Sequence, residues 1–154
     1  MLVYRLYKST YLTNPLSAEG ARRAGGRWNP KGYPVLYTSA TPELALLEVL
    51  VHLDPRYIPV FHLLVLEIPQ PIQVVTPAEL PRDWLTEEAY ERTQTCLLDW
   101  LRSPTELGVA VPSGIVTRSQ NVLLHTQHGE FNEQVRIVEN EPFGIDPRLL
   151  GGQF

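Results

Sequence analysis

The sequence predicts an α+β fold in one compact domain, and three observations carry that expectation. The elements read in order as strands, a helix, a strand, a second helix and then several strands, without a regular βαβ alternation. The length of 154 residues suits a single domain, residues 1–154, able to bury a core without disulfide or metal staples. Hydrophobic residues make up 44% and charged residues 19%, the balance of a globular chain rather than a disordered one.

Each element has a local reason. Residues 2–7 read as a first strand. Residues 14–31 are rich in Gly, Ala, Ser and Arg and read mostly as loop. Residues 35–39, VLYTS, are β-formers. Thr41, Pro42 and Glu43 mark a helix start: a capping hydroxyl, a proline suited to the first position and an acid at the positive end of the dipole. That helix is expected to run to about Leu53, before Asp54 and Pro55. Residues 60–68 are nearly continuous in apolar character, as in a strand covered on both faces. Residues 86–102 read as a second helix capped by Thr86, with Glu87, Glu88 and Glu91 on a solvated face. Later strands are expected at residues 109–112, 121–125 and 134–138. The 14 prolines separate these short pieces.

The bulk properties exclude several function classes. A net charge of −4 argues against direct binding of nucleic acid, which calls for a basic face. Cys96 is the single cysteine, so no internal disulfide forms, as suits a reducing compartment. No leader-like segment and no run of about 18 apolar residues occurs, so a cytoplasmic protein away from membranes is expected. His125 and His128 lack the partners of a zinc set, and no metal is expected. His52 and His62 sit among apolar residues and read as core histidines. Trp84 and Trp100 read as packing residues, and Cys96 as unreactive.

Four features read as chemical. In LALLEVLV, residues 44–51, Glu48 is the only charge, and the helix is apolar on all sides. Such a helix is expected to be buried, which aims Glu48 into the interior or a cleft. A buried carboxylate is either a structural ion pair or a functional group. The loop GGRWNPKG, residues 25–32, brings glycines for close ligand approach and two cations, Arg27 and Lys31, for phosphate. The same loop also fits a plain hairpin turn. Trp28 either packs beneath it or stacks on a ring. Tyr37, just before the helix, is core or a platform for an aromatic ligand. Ser113 in VPSG and Asn121 in RSQN lie at predicted strand ends; nothing near Ser113 reads as a nucleophile elbow.

Together GGRWNPKGYPVLYTSATPELALLEVLVHL, VPSGIVTRSQNVLLH and FGIDPRLL resemble, in order, the RES domain family. The family takes its name from an Arg, a Glu and a Ser, matched here by Arg27, Glu48 and Ser113; its pocket tyrosine matches Tyr37. NVLLH departs at His125, where many relatives are expected to carry Asn. The resemblance implies a mixed β core like that of ADP-ribosyltransferases. It implies a bacterial toxin paired with an Xre-type antitoxin protein, and assembly with further copies of itself inside that complex is an open alternative. It implies NAD as substrate, depleted by hydrolysis or phosphorolysis. In that chemistry Arg27, with Lys31, would hold the diphosphate and Tyr37 would stack on nicotinamide. Glu48 would face the cationic ribose, and Ser113 and Asn121 would contact the substrate. Transfer of ADP-ribose to a protein and a non-catalytic interaction domain are the competing readings.

Overall fold

A computed structural model describes residues 1–70 and 72–152. Seven strands form one mixed sheet: β1 (Leu2–Lys8), β2 (Val35–Ser39), β3 (Phe61–Glu67), β4 (Gln73–Val74), β5 (Gly108–Pro112), β6 (Gln120–His125) and β7 (Arg136–Phe143). Their order is β4-β5-β6-β2-β1-β3-β7, antiparallel throughout except for the parallel β4–β5 pair. The expected α+β class and mixed β core are therefore present.

Helix α1 (Glu19–Ala24) precedes β2, and α2 (Pro42–Leu50) follows it. As the sequence predicts, the Thr41 hydroxyl accepts from the Leu44 amide at 3.2 Å and Pro42 occupies the first turn. Strands β2 and β3 flank β1 and both run against it, so they are parallel to each other, and α2 crosses over β1 between them.

One irregularity shapes the molecule. Strand β1 pairs with β3 from Leu2 to Lys8, but meets β2 at Tyr4↔Ser39 alone. The two central strands part below that point. Alternation along the strands puts Val35, Tyr37, Leu123, Tyr4 and Leu6 on one face. That face carries two separate apolar clusters. One gathers Trp28, Val35, Trp84, Trp100, Val109 and Leu123. The other gathers Leu6, Ala45 and Phe61 with Leu46 and Val49 of α2. The opposite face holds the third cluster, with Val3, Leu36, Leu64, Leu66, Val122 and Leu124.

Several expectations are corrected. The helix over residues 86–102 breaks into α3 (Tyr90–Thr95) and α4 (Leu98–Arg102). The Thr93 and Thr95 hydroxyls donate back to carbonyls of the preceding turn, and Cys96 Sγ to Thr93 O, where three side chains compete with helix geometry. Helix α2 is not buried all round. Leu44 and Ala45 face the sheet, whereas Leu47 and Val51 are exposed, because only one side of α2 meets β1 and β2. His52 is exposed rather than core, and His62 is half-buried with its Nδ1 unpartnered. The last strand begins at Arg136 and reaches Phe143; Gln134 closes a short helix, α5 (Phe131–Gln134). Helix α1 lies inside the segment read as loop. Trp84 and Trp100 are core, as expected, and Glu87, Glu88 and Glu91 are exposed.

Candidate active site

Glu48 sits on the side of α2 that overhangs the gap between the two clusters. Its Oε1 accepts two hydrogen bonds, from Ser113 Oγ at 2.8 Å and from Asn121 Nδ2 at 2.6 Å. Both donors come from the β5–β6 hairpin, whose register pairs Val111 with Asn121. Neither donor is free to turn. Asn121 Oδ1 accepts from Ser39 Oγ at 2.7 Å, which fixes the amide orientation. Ser113 is wholly buried, and its oxygen also accepts from the amides of Ile115 and Val116 at 3.0 and 3.1 Å. Glu48 Oε2 has no protein partner among the described residues and is not sealed from solvent. One oxygen anchors the carboxylate and the other carries no protein hydrogen bond among the described residues.

The glycine-rich loop is built just as tightly. Gly25 ends α1 at φ 73°, and the Gly26 amide donates to Asn29 O at 2.9 Å to close a tight turn. Asn29 has no exposed surface; its Nδ2 serves the carbonyls of Ala21, Pro30 and Tyr33. Its Oδ1 accepts from the Tyr37 hydroxyl at 2.7 Å, and that hydroxyl accepts from the Trp28 amide at 3.2 Å. Gln94 Nε2 adds a bond to Gly26 O at 3.0 Å. Burial raises the Tyr37 pKa well above the phenolic range, so the hydroxyl stays protonated. Tyr37 thus uses its hydroxyl to pin the loop, while its ring borders open space.

Trp28 is buried and packs on Trp84, ring centroids 5.8 Å apart, and it also borders the cavity beside Arg27. Arg27 is held with its Nη1 donating to Trp84 O at 3.0 Å. Its guanidinium carbon lies 6.0 Å from the Trp84 ring and 5.7 Å from the Tyr90 ring, in cation–π range.

Three cavities meet at Glu48. The largest, about 570 Å³, is bordered by Gly26, Arg27, Tyr37, Tyr90 and Asn121. A second, about 260 Å³, fills the parting of β1 and β2 and is bordered by Arg5, Tyr37, Ser39 and Asn121. A third, about 450 Å³, opens on the far flank of α2 against Arg5, Lys8 and Tyr57. Glu48 borders all three. Arg5 Nη1 donates to Ser17 O, and desolvation lowers its pKa to about 10, leaving it a cation at neutral pH.

Of the residues singled out in the sequence, Arg27, Tyr37, Glu48 and Asn121 converge on this space. Ser113 is there too, but behind Glu48: its hydroxyl orients the carboxylate and does not border a cavity. Lys31 is exposed on the outside of the loop and borders none of the three cavities. The sequence reading missed Arg5, Ser39, Asn29, Gln94 and Tyr90. Asn29, in an Asn-Pro pair inside a glycine loop, carried the only local signal. Burial lowers the pKa of His125, whose Nε2 bonds Leu101 O at 3.0 Å, consistent with a neutral structural histidine. Desolvation of the thiol raises the Cys96 pKa to about 11 although the residue keeps exposed surface, the opposite of an activated nucleophile. Among the described residues, no group of three His, Cys, Asp or Glu side chains is placed to hold a metal, and no helix is long and apolar enough to cross a membrane.

Comparison with known proteins bears on this geometry. The chain is 35% identical over 151 residues to "Toxin Res" of Yersinia enterocolitica serotype O:8 / biotype 1B, covering 97% of this chain and 99% of that one. It is 32% identical over 146 residues to the "Prs ADP-ribosylating toxin" of Sphingobium sp. strain YBL2, covering 92% and 90% of the two chains. Among solved structures, a chain of the M. tuberculosis MbcT–MbcA toxin–antitoxin complex superposes with a TM-score of 0.73 at 20% identity, covering 97% of this chain and 86% of that one, which shows a shared fold. The RES domain matches residues 2–146, nearly the full length, and the chain belongs to that family.

Proposed function

We propose that this protein is the toxin of a toxin–antitoxin pair and acts by breaking the nicotinamide–ribose bond of NAD. One observation carries the reading: Glu48 is anchored through Oε1 and presents Oε2 where three cavities meet, with Arg27 on one wall and Arg5 on another. Loss of neutral nicotinamide leaves an oxocarbenium-like ribose, and a fixed anion beside it lowers the barrier, as in glycoside hydrolysis. A pre-positioned carboxylate costs no reorganisation when the charge develops. The arginines suit the diphosphate, and the Tyr37 ring suits a flat heterocycle. No step in this scheme calls for a metal.

Hydrolysis and phosphorolysis both deplete NAD. Transfer of ADP-ribose to a protein is the second reading, favoured by the name of the Sphingobium relative. The name of the MbcT–MbcA complex supports a protein antitoxin as partner, and an Xre-type antitoxin is part of the proposal, as is action in the cytoplasm. The test is to incubate the purified protein with labelled NAD, with and without phosphate and with cell extract, and to identify the products. Free ADP-ribose signifies hydrolysis, a phosphorylated ADP-ribose phosphorolysis, and a labelled protein transfer. NAD left intact under all conditions overturns the proposal.

A further inference from the structure

The two larger cavities lie on opposite flanks of α2 and share only Glu48 and His52. His52 follows Glu48 by four residues, one helical turn, and its amide donates to Val49 O at 3.1 Å to close the end of α2. His52 is exposed and borders both spaces.

The walls differ in chemistry. The cavity on the hairpin side carries Arg27, Tyr37 and Tyr90, which suit a phosphate and a flat ring. The cavity on the β1 side carries Lys8, Tyr11, Asp54 and Tyr57. Its carboxylate, Asp54, is already bound by Arg56 Nε and Nη2 at 3.0 and 2.9 Å. Beside Glu48, that leaves His52 as the proton acceptor on this wall.

When the incoming atom attacks the ribose on the face opposite the leaving group, as in an inverting displacement, the two groups occupy separate spaces on either side of the carbon. We propose that the β1-side cavity admits the second substrate, an oxygen nucleophile bearing a proton, and that His52 takes that proton. This rests on the NAD-cleaving reading. The bond from ribose C1′ to nicotinamide nitrogen breaks and its electron pair leaves with neutral nicotinamide. A lone pair of the incoming oxygen forms the new bond to C1′, and its proton passes to a ring nitrogen of His52 and on to solvent. Water as the nucleophile gives ADP-ribose; an alcohol gives its ADP-riboside. Glu48 faces the cationic ribose from the junction throughout.

The test compares the wild-type protein with His52→Ala, His52→Gln and Glu48→Gln. Calorimetry reads NAD binding, and nicotinamide release reads turnover in water and in added methanol. The expected result for His52→Ala is NAD affinity within threefold of wild type and nicotinamide release lowered about 100-fold, the lower range for a general base. Added imidazole restores release in His52→Ala but not in Glu48→Gln, a rescue that a merely structural role does not give. Wild-type protein forms methyl ADP-riboside in methanol, and His52→Gln loses water and methanol products together. Turnover within threefold of wild type in both His52 variants, or a loss that imidazole leaves untouched, overturns the assignment while NAD cleavage stands. Absence of cleavage by the wild-type protein brings down the NAD reading and this inference with it.

Discussion

Replacing Glu48 by Gln separates the charge of the carboxylate from its shape. Oε1 accepts from Ser113 and Asn121, and a glutamine carbonyl accepts both bonds equally well in direction. The glutamine amino group then takes the place of Oε2, where no protein group has to be matched. The fold is therefore expected to survive with little change in melting temperature. What is lost is the attraction between a fixed anion and the ribose cation. Two unit charges about 4 Å apart attract by about 4 kcal/mol at an effective dielectric of about 20. At about 1.4 kcal/mol per decade, that is about a 1,000-fold loss in turnover. The assay is nicotinamide release from NAD, with circular dichroism and thermal melting as the check on folding. A folded Glu48→Gln protein within tenfold of wild-type turnover refutes the electrostatic role.

Other perturbations probe the supports. Ser113→Ala removes a charge-assisted bond to Glu48 and the acceptor of the Ile115 and Val116 amides, which belong to exposed residues within reach of water, so stability is expected to fall by about 1–3 kcal/mol in urea unfolding. Turnover is expected to fall less than in Glu48→Gln, since Asn121 still holds Oε1. In Gly26→Ala the new carbon would lie 2.6 Å from the Tyr37 hydroxyl. The tyrosine clamp must shift, and a stability loss of about 1–3 kcal/mol is expected by chemical denaturation. His125 is held neutral by burial, so its folded pKa lies below the unfolded one. The unfolded chain then binds the extra proton, and stability falls as pH drops below the ordinary histidine range. Melting temperatures between pH 7.5 and 5 check this, with His125→Gln expected to flatten the slope.

How much of this was legible beforehand differs from residue to residue. Thr41, Pro42 and Glu43 announced α2 because capping chemistry is local, and VLYTS announced β2 within its bounds. Glu48 stood out as the only charge in an apolar stretch, although the helix proved half exposed and its outer leucine and valine face solvent. Lys31 and Arg27 looked alike in a glycine-rich loop, yet only Arg27 is drawn inward, by the Trp84 carbonyl and two rings. Arg5 gave no signal, since a lone arginine in a strand is ordinary until the neighbouring strand parts from it.

The amino-acid sequence by itself determined the local elements, the loop chemistry and, through a long ordered match, the RES family. Capping, turn propensity and motif spacing act over a few residues and can be read one stretch at a time. Only the tertiary structure decided that Ser113 and Asn121, 65 and 73 residues from Glu48, fasten the same carboxylate oxygen. It also decided that β1 and β2 part below a single pair, which opens the space and brings Arg5 and Glu48 to it. Those facts depend on strand order and register, set by which apolar faces bury one another across the whole chain, and no short stretch of sequence contains them.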